Sequence, residues 1–148
     1  MTRINVVTPK VLTDQHLIAE YRELPMVGAS LLRSIKSKQG LRLLPGEYTL
    51  NKGHVTFFYD KGGFLFNRYH LLIDEMKSRG FNPDPDRRCD FSPYIIHGLY
   101  NDWAPDDNSY GINATRLLEK VRMKPEWYRY MSEAIDDQYY SRLNEYIG

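Results

Sequence analysis

Apolar positions recur at helical spacing in several stretches of the chain. Behind Thr13 or Asp14, either of which can cap a helix, Leu17, Tyr21 and Leu24 fall at i, i+4 and i+7, which predicts a helix over residues 13–25. Pro25 lacks an amide hydrogen and crowds the preceding turn, so it is expected to end or kink that helix. Residues 26–38 continue in helical register, with Val27, Leu31 and Ile35 inward and a basic last turn before Gly40. Leu65, Tyr69, Leu72 and Met76 form a narrow stripe with Ile73 at its edge and Gly80 as a stop, which predicts a core helix. Tyr110, Ala114, Leu117, Leu118 and Val121 predict another, beginning near Asn108 or Ser109. From Pro125, which suits a first turn, Tyr128, Met131, Ile135, Tyr139 and Leu143 predict a helix to about Tyr146.

Between these stretches the punctuation is clear. Residues 40–53, with Pro45 and several glycines, read as a loop. Residues 82–108, with four prolines and six aspartates, read as a long irregular connection of the kind that is usually functional or mobile. Residues 54–59 (HVTFFY) have the aromatic and β-branched content of a short strand. The class predicted is all-α or mostly α. Residues 1–148 form a single domain of about three core helices, with an extended C-terminal helix, long irregular loops and residues 138–148 as a C-terminal extension.

Composition narrows the function classes. Hydrophobic residues make up 42% and aromatic residues 14% of the 148, enough for a packed core. One cysteine, Cys89, excludes an internal disulfide and any multi-cysteine zinc site. Of the histidines, His16, His54 and His97 are isolated and His70 lies in a core helix, so no metal is expected. No apolar run approaches membrane-spanning length and the first residues are too polar for a secretory signal, so a soluble, cytoplasmic protein is expected.

The net charge of +1 conceals an asymmetry. Residues 1–42 carry +4 and residues 113–130 carry +3, whereas 83–110 carry −4 and 131–148 carry −3. Two basic segments point to one electropositive surface facing a polyanion, although a charged run is usually just a solvated face and alone favours that reading. Arg116 and Lys120, one turn apart with Glu119 between them, fit either a solvated helix side or contacts to successive phosphates. In the segment from Lys124 to Tyr130, Trp127, Tyr128 and Tyr130 alternate with cations, the composition of a surface that stacks on bases and holds phosphates, or of a segment with one ring in the core.

The candidate chemistry lies at the start of the chain. An α-amino group titrates near about 7.7 to 8.0, against ~10.4 for a lysine, so far more of it is unprotonated at neutral pH. Arg3 should lower that value further by like-charge repulsion. With Met1 removed, as expected before a small second residue, the Thr2 amine becomes a nucleophile that needs little tuning, and Glu23 is its candidate partner. His16, Glu20 and Glu23 share one side of the first helix, with Gln15 and Arg22 beside them. With the helix ending at Pro25, Glu23 would sit near a carboxyl end, where the helix dipole does not favour a carboxylate.

Three blocks then give the chain a likeness. MTRIN with DQHLIAEYRELP, GHVTFFYDK with the following FL, Arg68 and RGF, and TRLLEK with PEWYRY occur in order and spacing, and with them the chain resembles the phage pyrimidine-dimer DNA glycosylases, the ultraviolet-repair endonucleases. The match is nearly continuous over residues 1–25 and poor over 26–52 and 82–114. Met26 stands where the family commonly has an arginine, which removes one expected phosphate contact.

The resemblance implies a mostly helical fold in which residues 54–59 lead into the second helix rather than form a strand. It implies an enzyme, acting as a monomer and needing no cofactor, that excises a base at a cyclobutane pyrimidine dimer in double-stranded DNA and then cuts the abasic strand. On that likeness Thr2 attacks the sugar as an amine and Glu23 stabilises positive charge and helps β-elimination. Arg3, Arg22, Arg116 and Lys120 match phosphate and active-site cations, Gln15 and His16 match residues near the lesion, and Trp127, Tyr128, Arg129 and Tyr130 match a dimer-recognition segment. The family kinks the duplex and extrudes the base opposite the lesion. Two alternatives stay open at this point: a glycosylase or lyase for other base damage, and a non-enzymatic helical DNA-binding module.

Overall fold

The computed structural model describes residues 3–41, 43–87 and 89–147. Helices dominate it: α1 (Asp14–Lys36), α2 (His54–Phe57), α3 (Gly62–Ser78), α4 (Ser92–Ile96), α5 (Asp107–Met123) and α6 (Asp137–Asn144). A small antiparallel hairpin, β1 (Arg129–Tyr130) and β2 (Glu133–Ala134), stands between α5 and α6. The mostly α class is therefore the observed one. No helix among the described residues is long and apolar enough to cross a membrane.

The Thr13 hydroxyl caps α1 by accepting from the His16 amide, and Arg33 and Lys36 in its last turn suit the dipole. The helix runs through Pro25, contrary to the expected break. A proline removes one ladder bond and strains one turn, at about 3 kcal/mol. The buried face of Leu17, Tyr21, Leu24, Val27 and Leu31 continues across Pro25, and that packing holds both halves in one register. Glu23 is consequently mid-helix, and the unfavourable dipole position inferred for it does not exist.

α3 lies along α1, burying Leu65, Tyr69, Leu72 and Met76 as the stripe requires. It has no side-chain cap. Its first amides are satisfied from the long connection instead, with Gly62 donating to the Leu99 carbonyl at 3.0 Å and Gly63 to the Asn101 carbonyl at 3.0 Å. The connection is thus irregular as expected but pinned, and its short α4 sets the Tyr94 ring so close that a Cβ on Gly62 would meet it at 2.5 Å. Residues 54–57 are helical, as the family likeness implies and propensity alone does not. Their rings join Tyr48, Phe64 and Trp103 in an aromatic cluster.

The helix expected from Pro125 to Tyr146 is replaced by the hairpin and α6. Met131 and Ser132 turn the chain at positive φ (50° and 67°), and their amides donate to the two Asp14 carboxylate oxygens at 3.0 and 2.7 Å. A carboxylate on a distant helix thereby stabilises a turn that neither residue favours locally. Asp136 then caps α6 through the Tyr139 amide, and only Tyr139 and Leu143 of the predicted stripe lie on a common helix, buried against the core. The last segment therefore packs on the core, with α6 against α5.

Candidate active site

Residues 3–7 are non-helical and, apart from half-buried Arg3, buried, so each of their backbone groups needs a partner. Side chains from several elements satisfy six of these groups. The Ile4 amide donates to His54 Nε2 at 2.7 Å, and the Tyr48 hydroxyl donates to the Ile4 carbonyl at 2.9 Å. Asn113 Oδ1 on α5 accepts from the amides of Val6 (2.7 Å) and Val7 (3.1 Å), while its Nδ2 donates to Asn5 Oδ1 at 2.7 Å. Asn5 Nδ2 donates to Glu20 Oε1 at 2.8 Å. Glu20, 1% exposed, is itself held by Arg68 of α3 at 2.7 and 2.9 Å, and Arg68 also donates to the Val7 carbonyl. The start of the chain is thus stitched to α1, α3 and α5 by one buried polar network.

His54 has a definite role in that network. Its Nδ1 donates to the Thr49 carbonyl at 2.7 Å, which leaves Nε2 as the acceptor for Ile4. Protonation would set an N–H against the Ile4 N–H. Burial lowers its pKa to about 4, with a smaller push from Arg3. His16 is lowered to about 4 as well, by burial and by the charge of Lys120. In the unfolded chain both titrate near ~6.5, so as pH falls the unfolded state takes up protons first. The stability tied to the neutral rings is complete above about pH 6.5 and is lost as pH falls toward about 4. Thermal melts between pH 7 and 4 should show that decline, and His54→Gln should flatten it in part, because His16 still titrates in the same window.

Above the network opens a cleft of about 350 Å³, lined by Arg3, Asn5, His16, Ala19, Glu20, Glu23, Leu50, Arg116, Leu117, Lys120 and Tyr128. The Arg3 amide donates to Glu23 Oε2 at 3.3 Å across its inner end. His16 and Tyr128 stack at 4.8 Å and an interplanar angle of 26° on another wall. Glu20 is neutralised by Arg68, so the cleft holds the cations Arg3, Arg116 and Lys120 against the one carboxylate of Glu23. Burial, then the neighbouring Arg116 charge, lowers the Arg3 guanidinium from its ordinary value. Arg3 Nη1 and Arg116 Nε are buried and have no hydrogen-bond partner among the described residues. Crowded cations with unused donors suit an anion rich in acceptors.

Of the residues singled out in the sequence, Arg3, His16, Glu23, Arg116, Lys120 and Tyr128 meet in this cleft. Thr2 lies outside the described residues. Arg22 is exposed on α1 beside Glu23 and does not line the cleft. Trp127 is 58% exposed, its ring edge-on to Tyr128 at 4.8 Å. Arg129 is exposed and donates to the carbonyls of Glu126 and Tyr128. Tyr130 faces away, its hydroxyl donating to the Lys10 carbonyl at 2.6 Å and its ring against Arg79. Gln15 is bonded to the hairpin backbone. Arg116 is half-buried, so the solvated-side alternative does not describe it.

Sequence reasoning missed Asn5, Tyr48, His54, Arg68 and Asn113 as organisers of the site, and placed Glu20 only on a polar side. A signal was present for two of them. Arg68 interrupts the stripe of Leu65, Tyr69 and Leu72, and Asn113 sits beside Ala114 on the inward face of α5; a polar residue in an apolar stripe implies a buried partner.

Residues 1–88 match the family model described as pyrimidine dimer DNA glycosylase. The chain belongs to this family of DNA-repair enzymes, whose substrate is DNA carrying pyrimidine dimers. The matched part ends before α5 and the hairpin, yet Arg116, Lys120 and Tyr128 fold back to complete the cleft around Glu23.

Proposed function

We propose that the protein excises a base at a cyclobutane pyrimidine dimer in duplex DNA with the α-amine of Thr2, exposed by removal of Met1, and then cleaves the abasic strand as a lyase. The amine lone pair bonds to the anomeric carbon of the sugar while the glycosidic bond breaks, its electron pair leaving on the base. After loss of one amine proton the nitrogen lone pair forms a double bond to that carbon as its bond to the ring oxygen breaks. The electron pair leaves on that oxygen, which takes up a proton, and the ring-opened sugar is held as a protonated imine. Removal of a proton from the neighbouring sugar carbon then expels the 3′ phosphate by β-elimination. Glu23 stabilises the cationic sugar and serves the proton transfers, and Arg3, Arg116 and Lys120 hold the flanking phosphates. Tyr128 and Trp127 face the distorted duplex.

The supporting observation is the bond from the Arg3 amide to Glu23 at 3.3 Å. Across any trans peptide, one residue's nitrogen lies within about 4 Å of the next, so a carboxylate fixed at Arg3 N is within reach of chemistry at the preceding residue. The positive charge of Arg3, the next residue in the chain, favours a neutral, nucleophilic amine by like-charge repulsion.

Borohydride trapping tests this with protein whose loss of Met1 is verified by mass spectrometry. Duplexes carrying a thymine dimer or an abasic site should both give a covalent adduct, abolished when the terminal amine is blocked. An adduct with abasic DNA alone moves the base-excision substrate to another lesion, and no adduct with either overturns the amine mechanism.

A further inference from the structure

The hairpin that directly follows Trp127 and Tyr128 is poorly equipped to hold its own shape. Its ladder is two residues long on each side, and its turn is made by non-glycine residues at positive φ. Three consecutive residues of the first turn of α1 brace it. Asp14 takes the amides of Met131 and Ser132, His16 stacks on Tyr128, and Gln15 between them binds the backbone on both sides of Tyr128.

The Gln15 geometry is specific. Its Nε2 donates to the Trp127 carbonyl at 2.8 Å and its Oε1 accepts from the Arg129 amide at 3.0 Å. Those are the two groups that a neighbouring strand in parallel pairing would bond on either side of residue 128. The side-chain amide therefore stands in for a missing strand, a task needing one donor and one acceptor at fixed separation.

We infer that Gln15 is a positioning residue that acts through Tyr128: by bracketing its backbone it sets the Tyr128 ring over His16 at the cleft wall and presents Trp127 beside it, and so controls how well the enzyme distinguishes damaged from undamaged duplex. The inference rests on the proposed function for its consequence in DNA, and on the free protein alone for its geometry. Asp14 is the poorer probe, because it also pairs with Arg79 at 3.0 Å and its loss affects folding.

Gln15→Met keeps the length of the side chain and removes both bonds. In the DNA-free protein the Arg129 amide should exchange with solvent at least about tenfold faster, read by NMR, since its partner is gone. The ratio of affinities for dimer-containing and undamaged duplex should fall roughly ten- to thirtyfold, the worth of two neutral hydrogen bonds. That loss should exceed any loss in trapping on abasic DNA, where no lesion has to be recognised. Gln15→Glu, which keeps the acceptor for Arg129 but sets a carboxylate against the Trp127 carbonyl, should preserve Arg129 protection better than Gln15→Met. Unchanged Arg129 exchange in Gln15→Met overturns the inference even if affinity drops, because Gln15 then acts by direct contact with DNA. An unchanged affinity ratio overturns it also. Absence of any adduct with the parent protein defeats the proposed amine chemistry and leaves the exchange result to decide the positioning role by itself.

Discussion

Glu23→Gln is expected to reduce base release from dimer-containing duplex by roughly 10²- to 10⁴-fold, the usual worth of a positioned acid–base or charge-stabilising group. The substitution keeps the shape of the side chain and an oxygen for the Arg3 amide, so the 3.3 Å contact that ties the start of the chain to α1 can persist. What it removes is, among the described residues, the only carboxylate of the cleft without a salt bridge, since Glu20 is committed to Arg68 at 2.7 and 2.9 Å. Binding should survive or tighten, because one negative charge is lost from a cleft lined by Arg3, Arg116 and Lys120. Single-turnover base release and equilibrium binding, measured on one duplex, separate the outcomes. Activity within tenfold of the parent removes Glu23 from the chemistry, and parallel loss of both activity and binding makes it a structural residue.

The parts of this fold that the sequence discloses are those governed by local period. The stripes of α1, α3 and α5 are buried as their spacing demands, and Thr13 caps α1 by a short-range bond. Two features escaped because a distant partner decides them. Pro25 reads as a break from its own chemistry, and the apolar face that spans it is what maintains the helix. The segment around Met131 and Ser132 repeats its apolar residues as a helix would, yet Asp14, 117 residues earlier, supplies acceptors for a turn at positive φ. The site divides in the same way. Arg3, Glu23, Arg116 and Lys120 are visible as charges, whereas much of the frame around them, His54 bonding to the Ile4 and Thr49 backbone and Asn5 bridging Asn113 to Glu20, leaves no periodic trace in a sequence.

The same frame predicts the largest effect on stability. In Arg68→Met the Glu20 carboxylate, 1% exposed, loses both charged donors, and the Val7 carbonyl loses its donor as well. Breaking a buried pair on one side costs about 3 to 5 kcal/mol, because the surviving charge stays desolvated without compensation. For a chain of this size that corresponds to a fall in Tm of roughly 10 °C or more. Adding Glu20→Leu removes the stranded charge, and the double variant should recover much of the loss, as buried ion pairs often exchange with apolar packing at little net cost. Activity should not recover with it. Asn5 has then lost its acceptor on α1 and Val7 its donor on α3, so residues 3–7 are held by fewer bonds and the amide of Arg3 is less firmly fixed at Glu23. Urea unfolding and single-turnover base release on the two single variants and the double variant give the comparison. Stability and activity returning together in the double variant would mean that the pair serves folding only; stability returning without activity would mean that it is retained because it places the first residues of the chain against Glu23.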